Sequence, residues 1–163
     1  MIKTTAVAAG LLCAAAFSQY PEFTQQYTQR LAGQVDALTQ VVTDFETSAM
    51  RSGLTRTQAL AEMTGSPFLD DRQSDMRRTF ARHAALSYHL DQLRAASPME
   101  QLTMPHRLLD TQTFNGTLVD YKPAVPLTLA GLIMAGVGFV LGATVMGGLL
   151  RLITSPFRRR RSA

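Results

Sequence analysis

Apolar and polar positions fall into three regimes along the chain: an apolar run from Thr4 to Pro21, a periodic middle, and a second apolar run from Val125 to Leu152. No side chain is charged between Lys3 and Glu22, nor from Pro123 to Leu150. Uncharged ends around a charged middle imply that the two parts sit in different solvents. A helix of about 20 residues crosses the roughly 30 Å hydrocarbon layer, so the second run is long enough to span a membrane with tilt or with an interfacial first turn. As the core helix of a soluble protein it would need a far larger chain to bury it.

The middle reads as helix. From Glu22 to Met50, apolar residues recur at Phe23, Tyr27, Leu31, Val35, Leu38, Val42, Phe45 and Ala49. After two turns this spacing alternates four and three, which lays one stripe along a helix. Gln25, Gln26, Gln29, Gln34, Gln40 and Asp44 lie off the stripe. Leu31, Val35, Leu38, Val42 and Phe45 form a candidate interaction seam with two uses: packing within the chain, which is preferred, or a coiled-coil contact with another subunit. Arg51, Ser52 and Gly53 break the pattern, and Thr55 with Gln58 makes a capping-box signature for a short helix ending near Gly65. Ser66 and Pro67 then open a second long helix reaching about Ala95, with Leu69, Met76, Phe80, Leu86, Leu90 and Leu93 near one face. Ser97, Pro98 and Glu100 start a further short helix that weakens at Pro105, and Phe114–Gly116 reads as a turn. Two long amphipathic helices with a short connection predict an antiparallel hairpin.

Charge sets the expected orientation. The chain of 163 residues carries a formal net charge of +4, and its mean hydropathy of +0.02 conceals the segregation. Arg151 borders the second apolar run, and Arg158, Arg159, Arg160 and Arg161 follow Pro156, taken here as a helix breaker. Such a cluster prefers the cytoplasmic face and contacts anionic lipid, and it assigns no nucleic-acid role. The C-terminus is then inside and residues 22–122 are periplasmic. The ten Lys and Arg residues of that middle segment do not oppose this, because loops longer than about 60 residues translocate largely regardless of charge. The first apolar run fits either a permanent anchor or a cleavable signal peptide, with Ala14, Ala15 and Ala16 offering a cleavage site. Leu12 before Cys13 lacks the small residue that lipoprotein processing wants. The lone cysteine excludes an intramolecular disulfide.

Several segments carry a family resemblance: Ser18-Gln19-Tyr20-Pro21-Glu22-Phe23 and onward to Gly33, then Phe45, Arg51-Ser52-Gly53-Leu54, Met76-Arg77-Arg78-Thr79, and Lys122 to Thr128. In their order and spacing the chain resembles, over nearly its whole length, an uncharacterised family of small bacterial inner-membrane proteins filed as a domain of unknown function. The resemblance implies a two-span protein with an uncleaved first helix. It supplies no activity.

Candidate chemistry is sparse. His83, His89 and His106 lack the spacing that places two ligands on one helical face, so no metal or cofactor is expected. Asp70, Asp71 and Asp75 suit a helix N-terminus and can pair with Arg72, Arg77, Arg78 and Arg82. Phosphate loops, nucleophile elbows and Cys-x-x-Cys pairs are absent. In the last span Gly131, Ala135, Gly138 and Gly142 form a small-residue groove for another helix, and Ala6, Gly10 and Ala14 could match it from the first.

The expected architecture is an all-α membrane protein. Residues 1–21 form a first transmembrane helix, 22–122 a periplasmic helical hairpin with short accessory helices, 123–152 a second transmembrane helix and 153–163 a basic cytoplasmic tail. The expected function is that of a non-enzymatic inner-membrane accessory protein presenting its hairpin to another membrane or periplasmic protein, or to a second copy. The alternatives are a homo-oligomeric channel lined by the glycine-rich helix, and an enzyme using Arg77, Arg78 and His83 on lipid phosphates.

Overall fold

The computed structural model describes residues 2–159, and among these every regular element is a helix. In chain order these are α1 (Ile2–Ser18), α2 (Tyr20–Arg51), α3 (Arg56–Glu62), α4 (Pro67–Ala95), α5 (Pro98–Gln101), a 3-10 turn (Pro105–Arg107), α6 (Thr111–Asp120) and α7 (Leu129–Arg159).

The hairpin of α2 and α4 is built by the apolar stripe. Tyr27, Leu31 and Val35 of α2 are buried with Leu86, Leu90 and Leu93 of α4, and Leu108 closes one end of the cluster. Each fully buried Leu contributes about 1.5–3 kcal/mol relative to an exposed one. Phe45 meets Phe80 edge-on with ring centroids 5.3 Å apart, and Thr39 Oγ1 lies 2.9 Å from His83 Nε2, so the helices run antiparallel. The stripe is therefore consumed inside the chain. Leu31, Val35 and Val42 are buried, and Leu38 and Phe45 half-buried, against the chain itself.

Turn chemistry follows the residues. At the end of α2, Gly53 (φ 72°) lets its N–H reach the Met50 carbonyl (3.0 Å) while Leu54 N–H reaches Ala49 (2.9 Å). This is a Schellman closure, and the left-handed glycine makes it cheap. Thr55 with Gln58, and Ser97 with Glu100, form capping boxes at α3 and α5, while the Ser66 hydroxyl accepts the Leu69 N–H to start α4.

Four expectations need correction. Phe114–Gly116 is not a turn but the middle of α6. Asp110 caps that helix by accepting the Thr113 N–H at 2.9 Å, and a Cβ at Gly116 would stand 2.5 Å from Arg30 Nε, so this glycine makes room for the guanidinium. The first apolar helix stops at Ser18 rather than Pro21. Pro21 has no N–H to continue the ladder, Gln19 N–H bonds back to Ala16 (3.2 Å), and Tyr20 and Pro21 begin α2. The last helix starts at Leu129, because Pro123 and Pro126 hold their preceding residues extended and Thr128 supplies the cap, accepting the Gly131 N–H at 3.1 Å. Its backbone then continues through Pro156 to Arg159 instead of breaking there.

Among the described residues one helix is long and apolar enough to cross a membrane: α7 over Leu129–Ile153, 25 residues of mean hydropathy 2.1. With 17 residues, α1 is about 25 Å long and packs along α7. The pairing is antiparallel and very close. A Cβ at Gly138 would stand 2.5 Å from the Cys13 carbonyl oxygen, one at Gly142 2.7 Å from Cys13 Sγ, and one at Gly10 2.9 Å from the Phe139 ring.

Candidate functional site

The site begins with two glutamines. Gln19 and Gln26 stand two turns apart, and each uses its amide as a strand uses its backbone. Gln19 donates to the Ala124 carbonyl (3.0 Å) and accepts the Ala124 N–H (3.1 Å). Gln26 donates to the Lys122 carbonyl (2.9 Å) and accepts the Lys122 N–H (3.2 Å). Residues 122 and 124 share one edge of an extended chain, so these pairs clamp the proline-rich strap between α6 and α7 onto the start of α2. The Tyr121 hydroxyl donates to Gln19 Oε1 at 3.0 Å. Burial, and then the Glu22 charge, push that phenol above its ordinary value.

Behind the clamp lies a cavity of about 610 Å³, a size suited to a small-molecule ligand. Its walls are the first turns of α2 (Glu22, Gln25, Gln29), α5 (Met99) and the strap (Val125, Leu127), and it reaches Ser18 at the end of α1 and Ala130 at the start of α7. Glu22 is the sole ionisable residue in the lining. Two of the segments that carry the family resemblance, the stretch from Ser18 and the stretch from Lys122, thus meet around one volume.

The sequence model of a family described as "Protein of unknown function (DUF2937)" matches residues 1–159. The chain belongs to that family. No curated protein and no solved structure matches it.

The residues singled out in the sequence of this DUF2937 protein scatter. Gly138 and Gly142 face α1, but Gly131 does not. Its Cβ position lies 2.7 Å from Pro126 Cβ, so it admits the strap. Ala135 is half-buried. Arg160 and Arg161 lie outside the described residues, as do the side chains of Arg158 and Arg159. Arg78 pairs with Asp75, His83 bonds Thr39 at 2.9 Å, and Arg77 is exposed, so these three do not converge on a substrate-sized volume. Among the described residues no three His, Cys, Asp or Glu side chains group as a metal site.

Sequence reasoning missed the polar hub at Asp110. Its carboxylate accepts the Thr113 N–H and Oγ1–H (2.9 and 2.6 Å) and both terminal nitrogens of Arg82 (3.1 and 3.2 Å). Burial raises its pKa, but the Thr113 and Arg82 bonds outweigh that and hold it below the usual 3.8. Thr113 Oγ1 also contacts Gln34 Oε1 at 2.8 Å, so the hub ties α6 to both α2 and α4. An Asp directly before the Thr-rich segment Thr111-Gln112-Thr113 was the available signal.

Proposed function

We propose that this protein is a non-enzymatic accessory protein of the bacterial inner membrane, spanning it with α1 and α7, both termini cytoplasmic, and presenting its helical bundle in the periplasm to a partner protein. The observation that carries the reading is the α1–α7 contact through Gly10, Gly138 and Gly142. Lipid offers no hydrophobic drive between helices, so close backbone approach over small residues is how such pairs hold together. The outer faces of the pair fit lipid: Leu12 is 75 % and Leu152 72 % exposed. A retained α1 acts as the second span, and the basic residues at the end of α7 and after it hold the C-terminus inside.

Two observations favour presentation over chemistry. Arg78 is paired with Asp75 and His83 with Thr39, and the end of the hairpin farthest from α1 and α7 exposes Met50 (67 %) and Phe68 (70 %), large apolar side chains of the kind found at protein contacts. Against the channel reading, Gly138 and Gly142 of α7 are covered by α1 of the same chain.

The test is cysteine labelling in a Cys13→Ser background. Ser74→Cys should react with a membrane-impermeant maleimide on spheroplasts, and Ser162→Cys only after permeabilisation; the reverse pattern overturns the topology. Crosslinking from position 68 in native membranes should then join a distinct protein, whereas a ladder of homo-oligomers would favour the channel.

A further inference from the structure

The cavity behind the strap has a chemical preference of its own. It opens where α1 ends and α7 begins, the level at which, on the two-span reading above, the bilayer's polar layer lies. Large apolar side chains surround it without being buried by the protein: Val125 is 78 %, Leu127 85 %, Leu129 69 % and Met99 42 % exposed. Such residues suit a rim that dips into the acyl region rather than one facing water. Hydrocarbon has a place against the strap and α5.

The polar side of the same cavity is anionic. Among its lining residues Glu22 alone carries charge, and its only hydrogen-bond partner here is Gln26 Nε2 at 3.0 Å. Among the described residues no ion pair is formed at Glu22, although Arg30, Arg56, Arg72, Arg78 and Arg82 each pair with a carboxylate elsewhere. Neither Lys nor Arg lines the cavity, so a purely anionic head group finds no counter-charge and meets a carboxylate. Gln25 and Gln29, one turn apart beside Glu22, add neutral amides able to donate to phosphate or ester oxygens.

We propose that this cavity binds one phospholipid of the surrounding bilayer whose head group ends in a primary ammonium, with that ammonium on Glu22 and an acyl chain along Val125, Leu127 and Met99. An ammonium gives a carboxylate up to three charged hydrogen-bond donors, which a quaternary or hydroxyl head group does not. The proposal rests on the two-span reading for the level of the cavity. The chemistry of the lining stands apart from it.

The full chain, reconstituted in vesicles of equal parts ethanolamine-, choline- and glycerol-headgroup phospholipid and then extracted, is examined by native mass spectrometry. One ethanolamine lipid per chain should be retained in preference to the other two. Glu22→Gln should lower that preference roughly tenfold, as loss of a charged hydrogen bond implies, and Gln25→Glu should raise it, with helix content unchanged in both. Equal retention of the three lipids, or a ratio unmoved by both variants, overturns the proposal. The same spectra report the chain mass: a chain shortened by removal of α1 would refute the two-span reading, whatever lipid is retained.

Discussion

The α1–α7 pair and the helical bundle reach close packing by opposite means. Between α1 and α7 the contact is made by leaving side chains out: Gly10, Gly138 and Gly142 let backbone, Cys13 and Phe139 approach within distances that a Cβ would forbid. Between α2 and α4 it is made by filling space, with Tyr27, Leu31, Leu90 and Leu93 each 2 % exposed or less. Water rewards burial of large apolar surface; on the two-span reading proposed above the pair lies in lipid, which does not, so only in the bundle is a leucine worth its volume. The bundle is also capped and cross-braced at Asp110.

That contrast can be broken experimentally. Leu31→Ala or Leu93→Ala should have the largest effect, destabilising the bundle by about 2–5 kcal/mol in denaturant titrations of its helical signal while leaving α1 on α7. Loss of both together would show that the regions are one cooperative unit. Gly142→Leu should act the other way round, costing the pair about 1–3 kcal/mol by overpacking and sparing the bundle. Gly136→Leu is the control, since nothing lies within 4 Å of its Cβ position, and it should be close to silent.

Smaller effects sharpen the bundle side. Asp110→Ala removes a helix cap and should cost about 0.5–2 kcal/mol. Because the Asp110 pKa is depressed in the folded chain, its contribution is fully present above the unfolded value near 3.8 and is lost as pH falls through the lower folded value. Acid titration of stability should therefore be flatter in Asp110→Asn than in the parent. Least of all, Asp120→Asn breaks the exposed pair with Arg30 (2.6 Å) and should change stability by about 0–1 kcal/mol.

The bundle's long helices were legible because periodicity and caps act locally: the stripe from Phe23 to Ala49, the Thr55–Gln58 box and the Ser66–Pro67 start each carry their own physical signal. The antiparallel hairpin followed from them. The α6 helix was hidden because Gly116 has two meanings, a turn residue or a place where Arg30 comes close, and only tertiary contact decides between them. The glutamines show the same limit. Gln19 and Gln26 look like solvated polar positions until the strap arrives beside them from about a hundred residues away. Gly138 and Gly142 were readable as a groove, but Gly131, at the same spacing, admits Pro126 instead of α1.

The central claim, that α1 stays attached and packs antiparallel on α7, has a direct test. The Ala6 Cβ lies 3.8 Å from the Cβ position at Gly147, a separation typical of disulfides. In a Cys13→Ser background, Ala6→Cys with Gly147→Cys should form an intramolecular disulfide on mild oxidation in native membranes, seen as a full-length chain of altered mobility that reduction reverses. A chain lacking α1, or disulfides found only between chains, would contradict the account.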